Sequence, residues 1–176
     1  MIAYHADCLE SMSVGELKLV KHFESPVFDE SVKRLIAEKF TDGLSNLGII
    51  NAGIRPLEEP FVIEAIFELV REQAFPDLPS RFQCIFGCKT ENDARKWAQL
   101  LGFPNAKIRT IEASHMVELD AGWRDEFEPG IRYGQHQIAL GLMIHNAHQY
   151  WSGQRHLNFS RMELLIPLPA RCIEPS

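Results

Sequence analysis

No apolar run in this 176-residue chain approaches the ~20 residues that a membrane helix needs, so no membrane partner is expected. The start, Met1-Ile2-Ala3-Tyr4-His5-Ala6-Asp7, has no basic segment followed by an apolar block, and so no signal-peptide pattern. No Gly-rich phosphate loop is present and strands do not alternate regularly with helices, which argues against P-loop and doubly wound folds. Internal repeats, low-complexity tracts and linkers are missing too. Cysteine is scarce: Cys8, Cys84, Cys88 and Cys172 are scattered, three of them in or beside apolar segments. That usage points to buried, reduced thiols rather than a disulfide framework. Basic residues are outnumbered, 18 Lys and Arg against 24 Asp and Glu, for a formal charge of -6. Such a balance does not favour a general grip on phosphate backbones or anionic lipid. The expectation is a soluble, cytoplasmic chain folding as one domain over residues 1–176.

Apolar periodicity supplies the elements. Ile2–His5 reads as a strand and Leu17–Val20 as a second. Ser31 caps a helix over Val32–Phe40, and Asp42-Gly43 and Asn51-Ala52-Gly53 punctuate a following loop. Pro56 opens a helix over Leu57–Ala74, with Phe61, Ala65, Ile66 and Leu69 inward and Glu58, Glu59, Glu68, Arg71 and Glu72 in water. Pro76 and Pro79 end it. Arg81–Gly87 reads as a short strand, and Thr90 with Asp93 forms a capping box for a helix over Ala94–Leu101. Ala94, Trp97, Ala98 and Leu101 form that helix's buried face and Gly102 stops it. Ala106–Ala113 and Met116–Asp120 read as strands, and a turn lies near Pro129-Gly130. Gln135–Trp151 reads as a helix and Leu164–Ile173 as one closing strand. Strands at both ends with helices between predict an α+β fold with mainly antiparallel pairing.

Several residues could carry chemistry. His5 on the first strand is either a structural imidazole or a neutral donor to a ligand hydroxyl. Arg81, beside Ser80, is either a surface cation or a planar fork for a phosphate or carboxylate. His145 and His148 share a helical face, but nothing nearby completes a metal set, and no metal is expected. Tyr150-Trp151 is either plain core or an apolar wall for a planar heterocycle. Glu163, at the mouth of an apolar strand, is either an edge carboxylate in solvent or a carboxylate held at a cleft.

Taken together, the segments resemble the ADP-ribosyltransferase fold, in particular a group of small bacterial and phage members. Tyr4-His5 resembles its first-strand histidine. Phe75-Pro76-Asp77-Leu78-Pro79-Ser80-Arg81-Phe82-Gln83-Cys84-Ile85-Phe86, with the helix from Asp93, resembles its middle. Tyr150-Trp151-Ser152-Gly153 and Met162-Glu163-Leu164-Leu165 resemble its closing stretch and glutamate strand. The resemblance spans nearly the whole chain in order. It implies a split antiparallel β-sandwich with flanking helices, gripping NAD between its sheets. It implies His5 on a ribose hydroxyl, Ser80 or Arg81 near the nicotinamide or phosphates, and Glu163 as the catalytic glutamate. Tyr4, Phe82, Phe86, Tyr150 and Trp151 complete the implied NAD site. Arg161, not a second glutamate, stands two residues before Glu163, which points away from the arginine-specific subgroup. The implied activity is NAD-dependent transfer of ADP-ribose to a protein or nucleic acid, of a toxin or phage-defence kind. A binding or inhibitor module with an antitoxin or assembly partner, and an NAD glycohydrolase, are the alternatives.

Overall fold

The computed structural model describes residues 1–21, 30–53, 59–125 and 140–174. In chain order the described elements are β1 (Ile2–Asp7), β2 (Gly15–Leu17), α1 (Glu30–Lys39), α2 (Asn46–Gly53), α3 (Glu59–Ala74), β3 (Cys84–Gly87) and α4 (Glu91–Leu100). There follow β4 (Lys107–Glu112), β5 (Val117–Asp120), α5 (Gly122–Asp125), α6 (Leu140–Trp151), β6 (Met162–Pro167) and β7 (Ala170–Ile173). The class is α+β, as the distribution of elements predicts. A four-stranded sheet has the order β1-β4-β7-β2 and a three-stranded sheet the order β3-β6-β5, and every pairing is antiparallel.

The two sheets meet at one edge. Tyr4 and Cys88 exchange backbone hydrogen bonds of 2.9 and 2.8 Å, so β1 runs beside β3, which in turn pairs with β6. One apolar core lies between the sheets, built on Ala3, Ile111, Leu164, Ile166 and Cys172. A second lies between the three-stranded sheet and the helices α3 and α6, built on Ile63, Phe67, Cys84, Tyr150 and Leu165. All four cysteines are free thiols, and Cys84, Cys88 and Cys172 are buried, as their apolar settings predict. Burial pushes the Cys84 and Cys88 thiols up to about 12, so they behave as inert apolar groups.

The Thr90 cap forms as the sequence predicts. Its hydroxyl accepts from the Asp93 N–H at 3.1 Å and donates to the Asp93 carboxylate at 2.7 Å. Ala94 and Ala98 bury that helix's inner face, but Leu101, expected there, caps the helix and is 51% exposed.

Other expectations are corrected. The second strand is Gly15–Leu17, not Leu17–Val20; Val20 makes only an isolated bridge to Leu44. The helix α1 begins at Glu30, which puts Ser31 inside it rather than at its cap. The expected loop through Asn51–Gly53 is the helix α2, capped by the Ser45 hydroxyl accepting from the Gly48 N–H at 2.9 Å. A Cβ on Gly48 would stand 2.0 Å from the Phe82 carbonyl oxygen, so glycine lets this helix press on the backbone next to Arg81. Arg81–Gln83 is a 3-10 turn, with only Cys84–Gly87 in the strand. The closing Leu164–Ile173 is two strands in different sheets, since Pro167 and Pro169 flank the turn that separates them.

Helix α3 is rotated from its expected face. Ile63, Phe67 and Val70 are buried, Leu69 is 53% exposed, and Glu68, expected in water, is buried. Pro56–Glu58, the turn near Pro129-Gly130 and Gln135–Ala139 lie outside the described residues.

Candidate functional site

Along β6 the side chains alternate. Leu164 and Ile166 join the core between the sheets, and Leu165 joins the core against α3 and α6. Glu163 falls on the Leu165 side, where it is 7% exposed. It is therefore not a carboxylate standing out in solvent.

Arg81 meets it there. The 3-10 turn that carries Arg81 is started by Ser80, whose hydroxyl accepts from the Phe82 N–H at 3.2 Å. The Arg81 guanidinium lies over the Phe86 ring at 4.5 Å and near the Tyr150 ring at 5.2 Å. Its Nε and Nη2 donate to the two oxygens of Glu64 on α3, at 2.8 and 3.0 Å. Its Nη1 donates to Glu163 Oε1 at 2.5 Å and to the Tyr150 hydroxyl. That hydroxyl in turn donates to the same Glu163 Oε1 at 2.7 Å. Arg124 on α5 closes the far side, its Nε donating to Glu64 Oε1 at 2.8 Å.

Two carboxylates and two guanidiniums thus balance in charge, and all but Arg124 are buried. For Glu64, burial works to raise the pKa, but Arg81 and Arg124 outweigh it and hold the carboxyl at about 2. Arg81 is raised well above its ordinary value: burial opposes its charge, and Glu163 and Glu64 overcome that. The Tyr150 phenol is pushed well up by burial, with Arg81 working the other way and Glu163 adding to the rise, so it is a neutral donor. Glu163 Oε2 has no partner among the described residues.

His5 stands at the seam between the sheets, half-buried, with Nδ1 2.6 Å from the Phe86 carbonyl oxygen. A carbonyl only accepts, so Nδ1 carries the proton. Burial lowers the pKa of His5 against the opposing pull of that bond and of Asp7. The ring is therefore neutral and its Nε2 an acceptor, not the donor that the sequence suggests. Phe86 links the two halves, its carbonyl held by His5 and its ring under Arg81.

Glu163, Arg81, Tyr150 and Phe86 are thus brought together, with His5 one strand away. Others of the expected set serve elsewhere. Phe82 turns towards α1, 5.5 Å from Phe40, and its carbonyl accepts from Ser45. Trp151 is 2% exposed and donates to the Phe67 carbonyl at 2.7 Å, so it is core and offers no open wall. Ser80 is a cap, and the Arg81 fork is spent on protein carboxylates rather than left for a phosphate. Tyr4 is half-buried and ties β1 to Cys88 through its backbone. His145 and His148 pack on Trp123 and Phe75, at 6.2 and 5.7 Å between ring centres. Among the described residues no three His, Cys, Asp or Glu side chains are placed to hold a metal ion.

Sequence reasoning missed Glu64 and Arg124. A signal for Glu64 existed: it follows Ile63 and precedes Phe67 by three on the stripe that α3 buries, and a carboxylate there needs a partner. It also missed Asp120, whose oxygens accept from the backbone N–H of Gly122, His156 and Arg161 at 3.0, 2.9 and 2.7 Å. Asp120 thereby fixes the chain leading into Glu163.

No curated protein matches the chain. Residues 3–175 match the model of a family described as a protein of unknown function, DUF2441, and the chain belongs to that family.

Proposed function

We propose that the protein cleaves the nicotinamide–ribose bond of NAD and passes the ADP-ribose to a macromolecular acceptor, on an ADP-ribosyltransferase-like split sandwich. The observation that carries this reading is the unequal use of the two Glu163 oxygens. Oε1 is clamped by Arg81 and Tyr150, and Oε2 has no partner among the described residues. An ionised carboxylate held in this way can accept from a ribose hydroxyl and stabilise the positive charge that develops as the bond to nicotinamide breaks. Nicotinamide leaves as a neutral base with the bonding pair, and the acceptor atom bonds the ribose carbon and gives up its proton. His5 Nε2 is a second fixed acceptor, suited to a second hydroxyl.

On this reading Glu163 Oε2 and His5 Nε2 are the two acceptors for the ribose portion of NAD. The pyrophosphate would be held by groups other than Arg81, whose donors are engaged within the protein. That engagement, with the burial of Tyr150 and Trp151, favours the second reading, a non-catalytic module in which the same cluster only fixes α3 and α6 to the sheet.

One experiment decides between them. Purified protein is incubated with adenylate-labelled NAD and a cell lysate, alongside Glu163→Gln. The expected result is nicotinamide release and label in the macromolecular fraction, both reduced about 100-fold or more by the substitution. Protease- or nuclease-sensitivity of the label then names the acceptor class, and release without transfer marks a glycohydrolase. No release from the wild type, or equal release from both proteins, overturns the proposal.

A further inference from the structure

We infer that Glu64 is a positioning residue for Glu163, acting through Arg81. The inference rests on the reading of Glu163 as the working carboxylate, and its geometry is independent of what that carboxylate does. Arg81 sits at the end of a flexible side chain, and nothing in its own turn aims it. What fixes its plane is the two-point contact with Glu64: Nε to Oε2 at 2.8 Å and Nη2 to Oε1 at 3.0 Å. A guanidinium held along that edge has one nitrogen left, and it points away from Glu64. That nitrogen, Nη1, reaches Glu163 and Tyr150 together.

Glu64 is itself held from both sides. Arg124 Nε donates to the oxygen that Nη2 uses, and α3 fixes the backbone. The rings of Phe86 and Tyr150 confine the guanidinium. Position therefore passes in one direction, from α3 through Glu64 and Arg81 to one oxygen of Glu163. Glu64 supplies no group to a substrate and is 4% exposed. It decides which Glu163 oxygen is clamped and which is left open.

Two variants test this. Glu64→Gln keeps the shape but puts an N–H donor where the fork needs a second acceptor. Glu64→Asp keeps the charge but is a methylene too short to reach along the same edge. Both are assayed for nicotinamide release per folded molecule, at a temperature where circular dichroism shows the native fold. The expected result is a fall in kcat of about 100-fold in either variant with KM unchanged, as misplacement of a reacting group by about 1 Å produces. A purely structural Glu64 would lower the folded fraction and leave kcat per folded molecule alone, and that result overturns the inference.

A readout free of activity accompanies it, the carbon-13 signal of the Glu163 carboxyl in glutamate-labelled protein, assigned with Glu163→Gln. It is expected to move in both Glu64 variants. Were the wild type to release no nicotinamide, the functional reading would fall and this signal would decide the positioning role by itself. An unmoved signal overturns it. Should neither Glu64 variant fold, the order of dependence is read in Glu163→Gln. The Arg81 Nε–H is expected to stay as protected from exchange as in the wild type, because Glu64 still holds it. Loss of that protection would mean that Glu163 places Arg81, and the inference would fail.

Discussion

The two cores of this molecule do the same mechanical work with different materials. Between the sheets, Ala3, Ile111, Leu164, Ile166 and Cys172 form an apolar core, and near Cys172 the buried Asp7 pairs with Arg109 at 3.3 Å. Beneath the three-stranded sheet, Glu64, Arg81 and Glu163 are buried among Ile63, Phe67, Tyr150 and Leu165. Desolvating such charges costs several kcal/mol per ion, which their mutual attraction offsets only with good geometry, and packed apolar residues often serve stability as well. The first core keeps its ion pair partly open to water, with the Arg109 side chain 25% exposed, whereas Arg81 is closed in between two carboxylates. Both Asp7 oxygens are bonded, to the Ser11 and Met12 N–H groups and to Arg109, whereas Glu163 has one oxygen clamped and one without a partner among the described residues.

The largest effect that would sharpen this contrast is expected from Arg81→Ala. It leaves Glu64 and Glu163 buried without the cation between them, and should lower unfolding free energy by about 3–5 kcal/mol in denaturant titrations. A loss below about 1 kcal/mol would mean that the cluster is well hydrated and the contrast false.

Acid is the next lever. Glu64 is held at about 2 in the folded protein, against an ordinary glutamate value of 4.5. Its folded pKa is depressed, so its contribution is fully present above about pH 4.5 and lost as pH falls through 2. Stability measured across that window should drop by ~3 kcal/mol from this group, and Glu64→Gln should flatten the profile there.

The smallest effect belongs to the apolar core. Ile111→Val, fully buried on β4, should cost about 1 kcal/mol and leave the Glu163 carboxyl signal as in the wild type. A change in the signal would show that the two cores are coupled more closely than their separate compositions suggest.

How much of this was legible in the sequence depends on how local each cause is. The Thr90–Asp93 cap is settled within four residues and reads directly. Strand β1 reads from the sequence as Ile2–His5 and runs Ile2–Asp7, and strands at both chain ends give the class. Helix α2 does not, because Asn46–Gly53 has no polar face of its own and is set by the Phe82 backbone over 30 residues away in sequence. The error in α3 has a similar origin. Counting Glu68 and Arg71 as wet is the better bet for charges in isolation, and only the partners show otherwise: Arg71 donates to Glu68 and to the Leu78 carbonyl, and Arg81 comes to Glu64 from another segment. Arg81 and Glu163 could be singled out one at a time. Their pairing across 82 positions could not. The split of β6 from β7 was within reach, since Pro167 and Pro169 stand in the sequence as warnings against one continuous strand.

The contact of Gly48 with the Phe82 carbonyl has a consequence for how this chain can vary over generations. Any side chain at position 48 must push against the backbone that launches Arg81. A position remote from Glu163 in sequence, and bearing no functional group at all, is thereby closed to drift. Random mutagenesis read by folded yield should find tolerance on either side of it, at exposed Leu47 and half-buried Ile49, and a gap at 48 itself.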